Sequence, residues 1–181
     1  PEKYFKEHPE YYSLVNGKRK QWAQLCFTNQ EMEKVYTENV LDILRRAPDD
    51  TECIYISLDD TWEACECLNC VTPIKGKSGK ILNREDENFR STQYFLFMNR
   101  LAAAIRKEFP NMYLRTLAYF STAPVPDCDI HEAIRPEFAP YIRPNDKRPI
   151  FSPENESWFK RLQGWAEKSR HVDVYEYFAL G

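Results

Sequence analysis

The order of segments along the chain predicts an α/β fold, and more narrowly a (β/α) TIM-type barrel of which this chain supplies only part. Three observations lead there. Short, apolar, β-rich segments alternate with longer ones whose apolar residues recur every three or four positions, the pattern of parallel strands joined by helical crossovers. The β-rich segments are nearly continuous in apolar character, as expected of strands covered on both faces. There are five of them in 181 residues, whereas a closed barrel ordinarily takes eight strands and about 250 residues. A complete small doubly wound sheet is the competing architecture of the same class. The expected organisation is a single, partial barrel domain over residues 1–181.

Residues 21–27 are the first β-rich segment, and Thr28 with Glu31 three positions later has the form of a capping box. The helix that follows carries Met32, Val35, Tyr36, Val40, Ile43 and Leu44 as its packed stripe, and Pro48 marks its end. Residues 53–58 read as the second strand. A long polar loop then leads to a helix with Phe97, Leu101, Ile105 and Phe109 at spacing four, closed by Pro110. Residues 113–120 are the third strand and residues 138–142 a short fourth. Ser152-Pro153-Glu154 opens a helix with proline in its first turn and Trp158, Leu162 and Trp165 on its packed side, and residues 172–178 form the last strand.

Composition removes several functional classes. With 25 Lys+Arg against 28 Asp+Glu, a formal charge of −3 and no basic block, the chain lacks the clustered cations that neutralise nucleic-acid phosphates. Its 43% hydrophobic and 14% aromatic content suffices for one core and argues against disorder. No apolar run approaches the roughly 18 residues of a membrane span. The opening residues Pro1-Glu2-Lys3-Tyr4 carry no targeting pattern, so any such signal is expected outside this chain.

In a parallel α/β fold the reactive groups collect at the carboxyl ends of the strands. Thr28-Asn29 follows the first predicted strand, Asp59-Asp60 the second, Ser121-Thr122 the third and Arg143-Pro144-Asn145 the fourth, and Tyr175-Glu176-Tyr177 lies within the last. Thr28 and Asn29 read first as capping residues. Asp59-Asp60 is more pointed: adjacent carboxylates after a buried strand repel each other unless a ligand, cation or proton settles them. Such a pair can divide its duties, one carboxyl of raised pKa donating a proton while its ionised neighbour holds a substrate group. An Asx-type turn accounts for the same residues without chemistry. Trp62 and Glu63 on the same loop add a stacking surface and a further acid.

Six cysteines fit disulfides, metal or free thiols. Cys26 and Cys53 lie in apolar runs and read as small core residues. Cys65, Cys67 and Cys70 resemble a zinc knuckle, which Cys128, with His131 three residues on, is expected to complete if a structural zinc is present; reduced thiols or a disulfide are the alternatives. The stretch Lys75-Gly76-Lys77-Ser78-Gly79-Lys80 lacks the order of a phosphate-binding loop and reads as a solvated loop or lid.

Taken together, His8-Pro9-Glu10-Tyr11-Tyr12, Val15-Asn16-Gly17-Lys18-Arg19 and Gln24-Leu25-Cys26-Phe27-Thr28-Asn29 resemble the opening motifs of the bacterial domain of unknown function 4838. Ile56-Ser57-Leu58-Asp59-Asp60 with Cys65-Glu66-Cys67-Leu68-Asn69-Cys70 resembles that family's strand, Asp and Cys-rich loop, and Ala118-Tyr119 and Tyr175-Glu176-Tyr177-Phe178 its later strand ends. The resemblance spans nearly the whole chain. It implies a barrel related to glycoside hydrolases, some members being grouped as glycoside hydrolase family 163, with endo-β-N-acetylglucosaminidase activity on complex N-glycans. It further implies an extracytoplasmic location, no required cofactor, and a larger polypeptide with further domains. The chemistry so implied is retaining and substrate-assisted, with the N-acetyl oxygen as nucleophile, and needs one acid and one group that polarises the acetamide.

Asp59 and Asp60 match that pair by position, although related hexosaminidase barrels carry Asp-Glu there. The shorter second side chain leaves Glu63 or Glu176 as alternative acids. The expected catalytic set is therefore Asp59, Asp60 and Glu176, with Asn29, Trp62, Glu63, Tyr119, Arg143, Tyr175 and Tyr177 binding the glycan. An α-glucuronidase-like hydrolase, with Arg143 gripping a uronate carboxylate, and a non-catalytic glycan-binding barrel are the alternative functions.

Overall fold

A computed structural model describes residues 2–141 and 147–176 of the chain. The chain opens with a short helix, α1 (Glu2–Glu7), and a 3-10 turn, Pro9–Tyr11, followed by a hairpin of β1 (Leu14–Val15) and β2 (Lys18–Arg19). The hairpin turns on Asn16 and Gly17, at φ 50° and 74°, the left-handed pair that a two-residue type I′ turn requires. Next come α2 (Gln30–Arg45), β3 (Cys53–Tyr55), the single turn α3 (Leu68–Val71), and a second hairpin of β4 (Ile74–Lys75) and β5 (Ile81–Leu82). The long helix α4 (Phe89–Glu108) leads into β6 (Tyr113–Ala118) and β7 (Ile134–Phe138). The helix α5 (Glu156–Lys168) and β8 (Asp173–Val174) follow.

β3, β6, β7 and β8 form one sheet in that order, and every neighbouring pair is parallel. This is the α/β class expected. Strands adjacent in sequence are adjacent in the sheet, an order common to a barrel segment and to half of an open doubly wound sheet.

β6 buries Leu114, Thr116 and Ala118 and leaves Tyr113, Arg115 and Leu117 half-exposed; β7 repeats the alternation, burying Ile134 and Phe138. The buried face is covered by α4, whose Phe95, Met98, Leu101 and Ile105 are fully buried, and by α5 through Trp158 and Trp165. Each such side chain contributes about 1.5–3 kcal/mol on leaving water. Among the described residues no helix covers the opposite face, so the expectation of two covered faces holds for one. The pleat explains this: of the alternate side chains in β6 and β7, Tyr113, Arg115, Arg135 and Glu137 are polar or charged and only Leu117 is apolar.

Several element boundaries differ from the sequence reading. Residues 21–27 are extended but make only one isolated bridge, Tyr12 to Leu25, because their hydrogen bonds go to two different partners: Gln24 O accepts from Ser13 N at 2.9 Å and Gln24 N donates to Glu63 O at 3.3 Å. The cap of α2 is Asn29 rather than Thr28; its Oδ1 accepts from Met32 N at 2.9 Å. On α2, Ile43 is 53% exposed and Leu41 is buried instead. α4 begins at Phe89, earlier than its apolar stripe suggested, because polar residues there find buried partners: Ser91 Oγ donates to Thr122 O and Thr92 Oγ1 accepts from Asp127 N. The fourth strand is residues 134–138 and not 138–142.

The lysine- and glycine-rich stretch is no loose loop. It forms the β4–β5 turn, docked on Asp127 through Ser78 N at 3.0 Å and Ser78 Oγ at 2.5 Å. A Cβ on Gly76 would lie 2.0 Å from the Asp127 carboxylate, so that approach requires glycine. Among the described residues no helix is long and apolar enough to cross a membrane.

Candidate functional site

The parallel sheet puts the carboxyl ends of all four strands at one edge, and the side chains there come from the segments that follow β3, β6 and β8. Beyond β3 the chain stays extended, Ile56 N donating to Arg115 O at 2.8 Å, and reaches Asp59 and Asp60, both exposed. Their loop is held by a side chain the sequence did not single out. Gln24, only 5% exposed, accepts from Asp59 N at 3.1 Å and donates from Nε2 to Asp59 O at 2.7 Å and Thr61 O at 3.1 Å. The amide thus acts as a short piece of strand against the acid loop, with both its ends satisfied. Packing around the Asp59 carboxyl raises its pKa above the ordinary carboxylate value even though the residue as a whole is exposed. Asp60 Oδ1 accepts from the Tyr119 hydroxyl at 3.4 Å, which ties the end of β3 to the end of β6.

Beside the acids stands a cluster of rings. Trp62 packs on Phe120 with centroids 4.4 Å apart, Phe120 stacks on Tyr119 at 3.8 Å, and Tyr141 meets both edge-on at 5.6 Å and 5.4 Å. Trp62 is 59% exposed and Tyr141 49%. Phe120 sits at φ 47°, a left-handed conformation that costs an L-residue roughly 1–2 kcal/mol. It is held there by the 3-10 turn Phe120–Thr122, in which Thr122 Oγ1 accepts from Tyr119 N at 3.1 Å. Strain of this kind points to a functional hypothesis when a surface ring is what it positions.

A second polar group lies on the sheet face that no helix covers among the described residues. Tyr55 Oη donates to Glu137 Oε2 at 2.7 Å, and the Arg115 guanidinium reaches Glu137 and Asp173 at 3.2 Å each. Burial, and then the bond to Glu137, pushes the Tyr55 hydroxyl well above its usual pKa. Tyr55, Arg115 and Asp173 are legible in the sequence only as positions within expected strands, and Glu137 lies one residue outside the strand expected at 138–142.

The remaining expected residues divide. Asn29 is engaged at both ends of its amide, capping α2 and donating to Glu10 O at 3.2 Å. Glu63 is ion-paired with Lys20. Tyr175 extends the pairing of β8, its N donating to Phe138 O at 2.9 Å, and leaves its ring 48% exposed at the same strand end, with Glu176 next to it. Arg143 and Tyr177 lie outside the described residues.

The cysteine grouping expected from the sequence is corrected in its fourth member. Cys65, Cys67 and Cys70 meet Cys26, and the four sulfurs lie within 4.8 Å of one another; Cys128 is not among them. Cys128 is instead a buried core thiol, pushed up to about 12 by burial. Cys26 was read as core because Leu25 and Phe27 flank it; the extended backbone turns its sulfur away from both, toward the loop. No disulfide joins any of the six cysteines. Within the cluster, hydrogen bonds from Cys26 and Cys70 hold the Cys65 thiol low, while those with Cys26 and Cys65 push Cys70 up.

The chain is thus an α/β domain whose parallel sheet gathers carboxylates and exposed rings at its strand carboxyl ends, the edge where ligands bind in α/β folds generally. The chain belongs to the family described as Domain of unknown function (DUF4838), whose model matches residues 1–180. Comparison with curated proteins and with solved structures finds no match.

Proposed function

We propose that this domain is a carbohydrate-active hydrolase whose site is the carboxyl edge of the sheet. One juxtaposition carries the reading: a ring cluster with exposed Trp62 and Tyr141 flanking half-buried Tyr119 and Phe120, beside the paired carboxylates Asp59 and Asp60. Sugar rings present apolar C–H faces that stack on aromatic side chains, and glycosidic bonds are cleaved by paired carboxyl groups. With the family resemblance, the substrate class is a glycan containing N-acetylhexosamine, cleaved with retention through the substrate's own acetamide, as by an endo-β-N-acetylglucosaminidase on complex N-glycans. An extracytoplasmic location and a larger polypeptide, both implied by the family resemblance, belong to the same reading.

The geometry supports a division of roles that reverses the one expected from sequence position, where Asp60 is the acid. Asp59, its pKa raised by burial, is the carboxyl that holds a proton nearer neutrality and donates it to the leaving oxygen. Asp60, which accepts from Tyr119, is the charged partner that orients the acetamide. Glu63 is held by Lys20 and Glu176 stands at the far edge strand, so both serve binding in this scheme.

Incubating the full-length protein with complex N-glycans and with glucuronoxylan fragments tests it. Release from the N-glycan supports the proposal; release of glucuronate instead supports the α-glucuronidase reading; binding without release supports a glycan-binding module. The roles separate on an N-acetylhexosaminide with an activated aryl leaving group, which needs no protonation. Asp59→Asn is expected to regain turnover there and Asp60→Asn is not.

A further inference from the structure

We propose that Cys26, Cys65, Cys67 and Cys70 bind one zinc ion in a closed, structural tetrathiolate site that locks the acid-bearing loop to the amino-terminal part of the domain. The sulfur positions come first. Zn–S bonds of about 2.3 Å in a tetrahedron place neighbouring sulfurs about 3.8 Å apart, and Cys26 Sγ lies 3.7 Å from Cys67 Sγ and 3.6 Å from Cys70 Sγ. A disulfide needs sulfurs near 2 Å, and none is formed.

The surroundings are those of a metal thiolate rather than of a core contact. Leu14 N donates to Cys65 Sγ at 3.3 Å, the Arg19 guanidinium stands 3.8 Å from the same sulfur, and the Thr28 hydroxyl lies 3.0 Å from Cys70 Sγ. Four thiolates and one zinc ion leave two negative charges. Arg19 on one side and Arg90 on the other supply two positive ones. Arg90 also donates to Cys65 O and Cys70 O at 3.1 Å each, so the chain that carries the ligands is fastened to α4. Gln93 adds a second bond to Cys70 O, at 3.1 Å. Outer partners of this kind orient ligands and stabilise their charged form.

Soft sulfur in a tetrahedral set of four selects zinc or an iron–sulfur centre over hard cations. With all four positions taken by protein, no place is left for substrate, so the role is structural. The position explains what is held. Cys26 lies two residues after Gln24, whose amide grips Asp59 and Thr61, and Cys65 follows that same loop. The ion therefore joins the two segments that flank the clamp. Metal binding also occupies the sulfur lone pairs needed for thiol–disulfide exchange, which keeps four crowded thiols from oxidising in an extracytoplasmic space.

The test uses the whole protein purified without chelator and does not depend on glycan turnover, so its outcome is separate from that of the hydrolase reading. One zinc per chain is expected by elemental analysis, released as four thiols are titrated with an organomercurial. Replacement by Co(II) should give the red d–d bands and near-ultraviolet sulfur-to-metal transitions of a tetrahedral thiolate site. Stripping the metal should lower the melting temperature by about 10 °C or more. Cys26→Ser should lose most of the zinc, while Cys128→Ser and Cys53→Ser keep a full equivalent. If Cys26→Ser does not fold, the wild-type stoichiometry and cobalt spectrum decide. Less than a tenth of an equivalent of zinc from zinc-supplemented cells overturns the proposal. So do iron in its place, a disulfide involving Cys26, or zinc retained by Cys26→Ser and lost by Cys128→Ser.

Discussion

At the scale of single residues, the site depends on groups of opposite character: exposed carboxylates that carry the proposed chemistry and a buried amide that positions them. Asp59 has its pKa raised on folding, so between its unfolded and folded values the native state binds more protons and stability falls as pH rises. Asp59→Asn is therefore expected to raise the melting temperature at pH 7. That gain should fade as pH falls through the raised folded value and be gone below about 4, where the unfolded carboxyl protonates as well. Melting curves of both proteins across pH 3–8 check it, and a gain that grows toward low pH would show that burial does not govern this carboxyl. Gln24→Leu keeps the volume but removes three hydrogen bonds to the acid loop. The polar backbone groups left behind should cost about 1–3 kcal/mol in denaturant unfolding. Turnover should fall further than stability alone explains, because small displacements of reacting groups are costly.

At the scale of elements, the helix caps and turns decide which residues are free to meet a substrate. Asn29 caps α2, and Asn29→Ala should cost about 1 kcal/mol of stability with KM unchanged. A raised KM at unchanged stability would return Asn29 to the binding surface. The turn after β6 makes the converse case. Phe120→Gly relieves the left-handed backbone and removes the central ring of the platform, so glycan affinity should drop at least tenfold while the melting temperature holds or rises. Isothermal titration with the glycan and a thermal melt on the same sample measure both. Equal affinity would mean that the ring cluster packs only against itself.

At the scale of the whole molecule, β3 and β8 are the outer strands of the described sheet, and one sheet face carries the Tyr55, Arg115, Glu137 and Asp173 network without a covering helix. Open edges invite pairing with other chains. The 181-residue chain expressed alone should therefore self-associate at micromolar concentration, as read by sedimentation velocity. A monodisperse monomer with one cooperative melt would favour the complete doubly wound sheet over a barrel segment.

Much of this was legible in the residues themselves. The apolar stripe of Phe97, Leu101 and Ile105, the β-rich runs near 53 and 113, and Pro153 ahead of Trp158 and Trp165 carried the α/β class, because periodicity and proline geometry act locally. The acid pair and Trp62 were visible because two carboxylates and an indole after an apolar, β-rich run are unusual neighbours, although β3 itself is largely exposed. What lay beyond reach were the pairings between distant segments. Cys26 and Cys70 are 44 positions apart, Gln24 and Asp59 are 35, and Tyr55 and Glu137 are 82. Spacing along the chain put Cys128 in the cluster and left Cys26 in the core. The tertiary structure reversed the two because a sulfur's partners are set by where the backbone directs it. The same holds for Asn29, whose polar amide reads alike as a cap or a ligand until the helix beside it has formed.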